Sequence, residues 1–332
     1  MTEAGARSAA PASPPPELVA RFAAECTRLW LAGDLPGMTL GLAVSGGPDS
    51  LAMLLLAAVA RPGAVEAATV DHGLRPESAA EAQMVADVCE QLGVPHRILP
   101  VTVAPGNLQG EARQARYTAL GEWAKARGIY ALATAHHADD QAETVMMRLN
   151  RASGLSGLAG IRPLGSWPQT GLMMIRPLLG WRKAELADIV ARASLDAVDD
   201  SSNTDPRFDR ARVRAALAEA EWIDSAALAR SAAHLSEAED ALNWAALREW
   251  DERVIEEDGA ISYRPVDVPR ALRLKVFERA VAQMGGMDAR GGALARLADD
   301  LARGGKATIG GVLVEVIRGE WRFTPERPRR PH

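Results

Sequence analysis

Cysteine is almost missing from this chain: Cys26 and Cys89 are the only two in 332 residues, far apart and outside any CxxC spacing. Their scarcity excludes a disulfide framework and argues against thiolate-held zinc or an iron–sulfur cluster, leaving two thiols expected to lie buried in a reducing cytoplasm. Long apolar runs are missing too. No segment approaches the roughly 20 residues of a membrane-spanning helix, so a soluble, cytoplasmic protein with no membrane partner is expected. Residues 1–17 are rich in Ala, Pro and Ser without a continuous apolar core, which reads as a disordered tail and not as a signal peptide. Neither charge sign dominates: 43 acidic residues stand against 38 basic ones, for a net charge of −5. The molecule is no polycation, and any nucleic-acid partner must meet a local basic patch.

What is present begins with bulk. A length of 332 residues and 48% hydrophobic content suit two domains with well-buried cores. From residue 39 to about 134, short apolar runs (39–44, 66–70, 97–101, 129–134) alternate with helical stretches (50–60, 77–92, 108–127). This is the βαβ rhythm of an α/β fold with a doubly wound parallel sheet, and it predicts a catalytic domain over 18–216. Beyond about 214 the pattern turns helical through roughly 256, with further helices near 270–284 and 291–303. Runs 307–317 and 320–323, separated by Arg318-Gly319, read as a closing β-hairpin. A smaller, mainly helical domain over 217–332 is expected, ending in a loose basic tail from 325.

The first strand runs into Ser45-Gly46-Gly47-Pro48-Asp49-Ser50, and a helical stretch follows. Glycines in a strand–loop–helix turn allow positive φ and close backbone approach, so that N–H groups and the helix N-terminus face an anion. Ser45 and Ser50 add hydroxyl donors, and Asp49 suits a magnesium ion bridging phosphates. The loop lacks the spacing and the lysine of a Walker A sequence. A plain Gly-Gly-Pro turn before a core helix is the bland alternative.

Its neighbours weigh against that alternative. The second strand ends in Asp71-His72-Gly73-Leu74-Arg75, and the fourth in His136-His137-Ala138-Asp139-Asp140-Gln141-Ala142-Glu143-Thr144. In doubly wound sheets ligands sit at the carboxyl ends of strands, where these clusters fall. Asp140, Glu143 and Thr144 share one helical face. Asp140-x-x-Glu143 also resembles a charged capping box, and capping and chemistry can coexist there. Arg113 and Arg116, with Tyr117, are spaced to face a phosphate or a nucleobase, or are simply solvated helix charges. The Gly-rich stretch 151–161 either wraps a substrate or connects domains. Trp222, Trp244 and Trp250 read as core residues more readily than as stacking platforms.

The six-residue loop resembles the PP-loop of the ATP pyrophosphatases. Together with 70–75, 111–117, 136–144, 154–161, Arg176-Pro177-Leu178-Leu179 and Asp199-Asp200-Ser201-Ser202-Asn203, it appears in the order seen in tRNA(Ile)-lysidine synthases, a resemblance covering about 38–216. The resemblance implies an ATP- and Mg2+-dependent ligase that joins L-lysine to C2 of the wobble cytidine of the CAU-anticodon isoleucine tRNA through an adenylated intermediate, switching codon reading from AUG to AUA. It implies ATP contacts from Ser45, Gly46, Gly47, Pro48, Asp49, Ser50, Asp71 and His72, and metal binding by Asp49 and Asp139. Catalytic roles fall to Asp49, Arg113, His136 and Asp140, with His136 and Arg113 meeting phosphate charge and Asp140 with Glu143 meeting lysine or metal. Candidate tRNA contacts are Arg148, Arg151, Arg207, Arg210, Arg212 and Arg214, and a homodimer is left open. The chain departs from the family pattern at Ala211, where Asn is usual, and at Ala152, where Gly is usual. Rival readings are a thiolase of the same loop superfamily, which in its cytidine-directed form uses clustered cysteines that this chain lacks, an amidotransferase synthetase, and an ATP-binding module without turnover.

Overall fold

The computed structural model describes residues 11–30, 35–73, 77–102, 108–167, 170–198, 209–286 and 292–326. Both ends of the chain, Leu74 and Arg75, and the 199–208 stretch with Arg207 lie outside these residues. The chain divides into two compact units, 1–147 with 161–231, and 148–160 with 232–332. The division falls inside a long helix and not at 216/217. No helix among the described residues is long and apolar enough to cross a membrane.

The first unit holds helices α1 (Pro16–Leu29), α2 (Pro48–Ala60), α3 (Ser78–Gln91), α4 (Leu108–Arg127), most of α5 (Ala138–Leu149), α7 (Lys183–Arg192) and α8 (Asp209–Glu219); a one-turn α6 (Leu155–Leu158), following α5 in the chain, falls in the second. Its six-stranded sheet runs β3 (His96–Pro100), β2 (Val65–Asp71), β1 (Leu40–Ala43), β4 (Ala131–Ala133), β6 (Met173–Ile175), β5 (Leu164–Ser166). All neighbours pair in parallel except β5, which is antiparallel to β6.

Alternation along the strands divides the interior into two layers. Leu40, Leu42, Ala131, Ala133 and Ile175 pack with α1, α2 and α7, whereas Leu132 and Met174 pack with Tyr117, Leu120 and Trp123 of α4. Helix α2 is buried from Ser50 through Ala57, as an all-round apolar core helix must be. At Gly41 a Cβ would lie 3.0 Å from Ile129 Cγ2 and 3.3 Å from Trp123 Cζ3, so the missing side chain lets α4 and the residues just after it close on β1. The chain winds outward from β1 through β2 to β3, then crosses to the other side of β1 with β4. This reversal makes β1/β4 the switch point, the crevice where such sheets bind ligands.

The second unit contains the last part of α9 (Ser225–Arg253), α10 (Arg270–Gln283), α11 (Gly292–Leu301) and an antiparallel sheet ordered β7 (Val254–Glu257), β8 (Ala260–Tyr263), β11 (Glu320–Pro325), β10 (Val312–Ile317), β9 (Gly305–Ile309). Trp250, Phe277, Trp321 and Phe323 fill its core, with Phe277 edge-on to Trp321 at 5.5 Å and to Phe323 at 5.4 Å. The expected hairpin is therefore part of a five-stranded sheet. Residues 254–257 are a strand where helix was expected, and 307–317 breaks at Gly310-Gly311, whose φ values of 58° and 83° turn the chain. Trp250 is buried, whereas Trp222 and Trp244 are exposed and do not belong to a core.

Candidate active site

The phosphate loop leaves β1 at its carboxyl end. Gly46 has φ 87°, and its carbonyl accepts the Val198 N–H at 2.9 Å. Gly47 is the N-cap of α2 and Pro48 follows at N1, where a missing N–H costs nothing. No side chain caps this helix; Pro48 has no N–H and those of Ser50 and Leu51 go to the Gly47 carbonyl, which leaves the Asp49 N–H at the helix start for whatever enters the crevice. Ser50 Oγ donates to the Gly47 carbonyl at 2.9 Å, accepts the Ser45 N–H at 3.1 Å and lies 3.3 Å from Ser45 Oγ, which fixes the loop.

Across the crevice, β4 delivers His136 and His137. His137 is the N-cap of α5: its Nδ1 accepts the N–H groups of Asp139 at 3.2 Å and Asp140 at 3.4 Å, and Asp140 Oδ2 accepts the His137 N–H at 3.1 Å. The capping box is thus His137–Asp140, not Asp140–Glu143. His137 Nε2 reaches Asp49 Oδ2 at 3.4 Å and Asp140 Oδ2 at 3.5 Å, joining the loop to α5. Burial lowers the His137 pKa and hydrogen bonding to Asp139 and Asp49 with the charge of Asp140 raises it; because Nδ1 accepts the helix N–H groups, the ring's proton sits on Nε2, toward Asp49 and Asp140.

His136 goes the other way. Burial, opposed by Asp140 and aided by Arg176, Arg210 and Arg113, lowers its pKa to about 4, so it is neutral at pH 7. Its Nδ1 lies 3.0 Å from Thr134 Oγ1. A hydrogen bond, and not a cationic charge, is what His136 offers a phosphate.

Asp49 Oδ1 is buried without a partner, an open acceptor facing the loop. That orphan fits magnesium, which takes one or two carboxylates and fills its shell with phosphate and water; no group of three or more His, Cys, Asp or Glu residues suited to a metal occurs among the described residues. Asp139 fits less well, because its Oδ2 accepts the Lys183 N–H at 2.8 Å at the start of α7. Its pKa lies well below the ordinary carboxylate value, chiefly through His137.

The acids of α5 are answered by α8. Arg210 Nη2 meets Asp140 Oδ1 at 2.8 Å and its Nε meets Glu143 Oε2 at 2.5 Å, while Arg214 Nε meets Glu143 Oε1 at 2.6 Å. Glu143 is buried at 3% exposure beneath these two guanidiniums. Arg210 and Arg214, expected to face tRNA, here face the acids expected to face lysine. Arg212 is exposed and pairs with Asp209. Arg148 Nη1 donates to the Gly157 and Gly160 carbonyls at 2.6 and 3.1 Å, bracing the Gly-rich stretch, in which Ala152 takes φ 51°.

At the end of β2, Asp71 accepts the Gly73 N–H at 2.9 Å and the Ser78 hydroxyl at 2.7 Å, a turn and cap that hold its carboxyl below the ordinary range. Beside it His72 Nδ1 is buried without a partner, and burial with the Arg116 charge keeps the ring neutral. Loop, His136, Asp140 and Glu143 therefore converge on the β1/β4 crevice, with Asp71 and His72 one strand away.

Residues 21–221 match the PP-loop domain family. Over 308 residues the chain is 47% identical to the tRNA(Ile)-lysidine synthase of Novosphingobium aromaticivorans, covering 91% of this chain and 94% of that protein. It is 42% identical to the tRNA(Ile)-lysidine synthase of Zymomonas mobilis, covering 95% and 96%. The chain belongs to the tRNA(Ile)-lysidine synthase family. Among solved structures it is similar to a U34-tRNA thiolase from Methanococcus maripaludis, with a TM-score of 0.53 and 18% identity over 66% of this chain and 78% of that one, a likeness of fold. The match to the lysidine synthases runs through both units, so the second belongs to the family as well. Two site residues carry roles that the sequence does not assign. His137 and His136 form an undivided pair in the sequence, and only the N-cap position of His137 separates their roles; Arg176 stands inside the Arg-Pro-Leu-Leu motif with no chemistry attached to it.

Proposed function

We propose that the chain ligates L-lysine to C2 of the wobble cytidine in the CAU-anticodon isoleucine tRNA. The observation that carries this reading is the convergence of an uncapped PP-loop with Asp49, His136, Asp140 and Glu143 at one crevice of a lysidine synthase chain.

The triphosphate lies on Ser45–Ser50, with Asp71 and His72 toward the nucleoside. Asp49 would hold magnesium, which when bound would supply charge neutralisation to the phosphates. The cytosine O2 attacks the α-phosphorus, the bond to the β-phosphate oxygen breaks and pyrophosphate departs. C2 then carries AMP as a leaving group, which lowers the barrier to amine attack. The ε-ammonium of lysine passes a proton to the Asp140 carboxylate, its nitrogen bonds to C2, and AMP leaves with the old oxygen.

Asp140 suits recognition of the ammonium. Burial raises its pKa, but His137 and Arg210 outweigh that and keep it ionised. Glu143, paired with both arginines, holds α8 in place and shares the ammonium once α8 adjusts. Arg148, Arg151, Arg207 and Arg212 are the arginines assigned to tRNA phosphates, and the reaction belongs in the cytoplasm, where charged and uncharged tRNAs are handled.

Labelled lysine, ATP and magnesium incubated with the protein are expected to label the CAU-anticodon isoleucine transcript and not the methionine elongator transcript. Pyrophosphate release that depends on tRNA, with no lysine incorporated, would overturn lysine as the nucleophile.

A further inference from the structure

Cations gather at the carboxyl end of β6 without a carboxylate partner among the described residues. Arg176 directly follows β6 and is only 8% exposed. Its Nη1 donates to the Arg162 carbonyl at 2.7 Å, but its Nε is buried with no partner. Arg113 holds its Cζ 5.1 Å from the Tyr117 ring, and Tyr117 stacks at 4.3 Å on Trp167, the residue after β5. That stack ties the middle of α4 to the β5–β6 edge where Arg176 sits. Arg113 links the other two: it adds to the depression that burial causes at Arg176 and at Arg116, and Arg176 and Arg113 both add to it at His136. Arg116, next along the same helix, acts likewise on His72.

A buried guanidinium without a counter-ion is costly unless an anion completes it. We propose that Arg176, with Arg113 and Arg116, forms a recess for a backbone phosphodiester of the polynucleotide substrate, adjoining the target nucleotide. The inference rests on the tRNA reading above. Three observations favour a phosphodiester over other anions. The PP-loop opens on α2, whereas Arg113 and Arg116 stand on α4, in the opposite layer of the sheet. Arg113 and Arg116 are exposed, which admits an extended polyanion, while Arg176 waits at the buried end. Three guanidiniums also exceed what the single carboxylate of lysine would neutralise, whereas their planar forks match phosphate oxygens.

The test compares wild type with Arg176→Gln, Arg176→Lys and Arg116→Gln, each checked by thermal melt. Arg116→Gln, on an exposed helix position, keeps the test informative if Arg176→Gln fails to fold. For Arg176→Gln and Arg116→Gln the KM for the isoleucine transcript is expected to rise about tenfold, and the slope of log Kd against log salt to fall by about one. For Arg176→Gln, ATP-analogue binding without tRNA and the KM for lysine should stay within about twofold, and the transcript KM of Arg176→Lys should be intermediate. Loss of ATP-analogue binding with transcript affinity intact would assign the recess to the triphosphate and overturn the proposal; a raised KM for lysine alone would overturn it too, by assigning the recess to the amino-acid carboxylate. Unchanged values throughout would reduce Arg176 to a brace of the β5–β6 turn. Wild type that neither binds nor modifies the transcript would instead sink the functional reading on which the recess depends.

Discussion

Single atoms decide what the crevice can hold. Gly46 has φ 87°, and a Cβ there would lie 3.1 Å from Val198 Cγ2 and 3.3 Å from both Met84 and Val85 side chains. Gly46→Ala should cost about 2 kcal/mol in urea unfolding, from the left-handed backbone and the crowding together, and weaken ATP-analogue binding. Asp49→Asn removes the charge of the one orphaned carboxylate oxygen at the loop; tRNA-dependent pyrophosphate release should fall at least about 100-fold while the melting temperature holds, and a higher magnesium concentration should recover part of it. The two histidines show what a sequence can and cannot say at this scale. Their adjacency to acids is legible, but the opposite pushes on their pKa values are not, because these follow from which ring faces Asp49, Asp139 and Asp140 and which is buried beside Arg176, Arg210 and Arg113. His136 accepts its proton near pH 4 when folded and near the ordinary 6.5 when unfolded. Between those values the unfolded chain binds the extra proton, so stability present above pH 6.5 is lost as pH falls toward 4. Urea unfolding of the ligand-free protein across this window should show that acid limb, and His136→Asn should flatten it.

Helix α8 buries no residue, so ion pairs to Asp140 and Glu143 hold it, not apolar packing. Glu143→Gln should lower global stability by about 2 kcal/mol, since both arginines are part-exposed and keep water as a partner. The sharper expectation is local: amide exchange along 209–219 should accelerate far more than in α2, and equal rates in both helices would show that α8 has another anchor. Elements are legible where periodicity and punctuation agree. The βαβ run from 39 to 134 rests on apolar alternation bounded by Gly and Pro, and its strands and helices fall within a few residues of the expected ones. The second unit hides more. Asp258-Gly259, with φ 51° and 71°, is a two-residue hairpin turn between β7 and β8, a signal present in the sequence and masked by the helical composition just before it. Likewise Gly310-Gly311 divides one apolar run into two strands, and a run of apolar residues alone cannot show where it folds back.

For the molecule as a whole, two separate cores imply two separable sensitivities. Phe277→Ala empties the centre of the second core and should cost that unit about 3–5 kcal/mol while ATP-analogue binding survives. Cys26 and Cys89 both lie in the first core, and burial raises the Cys89 pKa to about 12. Neither thiol should react with a disulfide reagent at about pH 8 until the first unit opens, so the rate of labelling reads the opening of that unit directly. The arginines of α8 carry one more consequence. Asp140 and Glu143 already hold organic cations before any amino acid arrives, so lysine would enter by ion exchange, one positive group leaving as another takes its seat. The charge of the seat is the same before and after. Lysine affinity should then be nearly flat against ionic strength while tRNA affinity falls steeply, and the selectivity of the seat becomes a competition between a fork tethered to the chain and a free ammonium, decided by how tightly α8 is leashed.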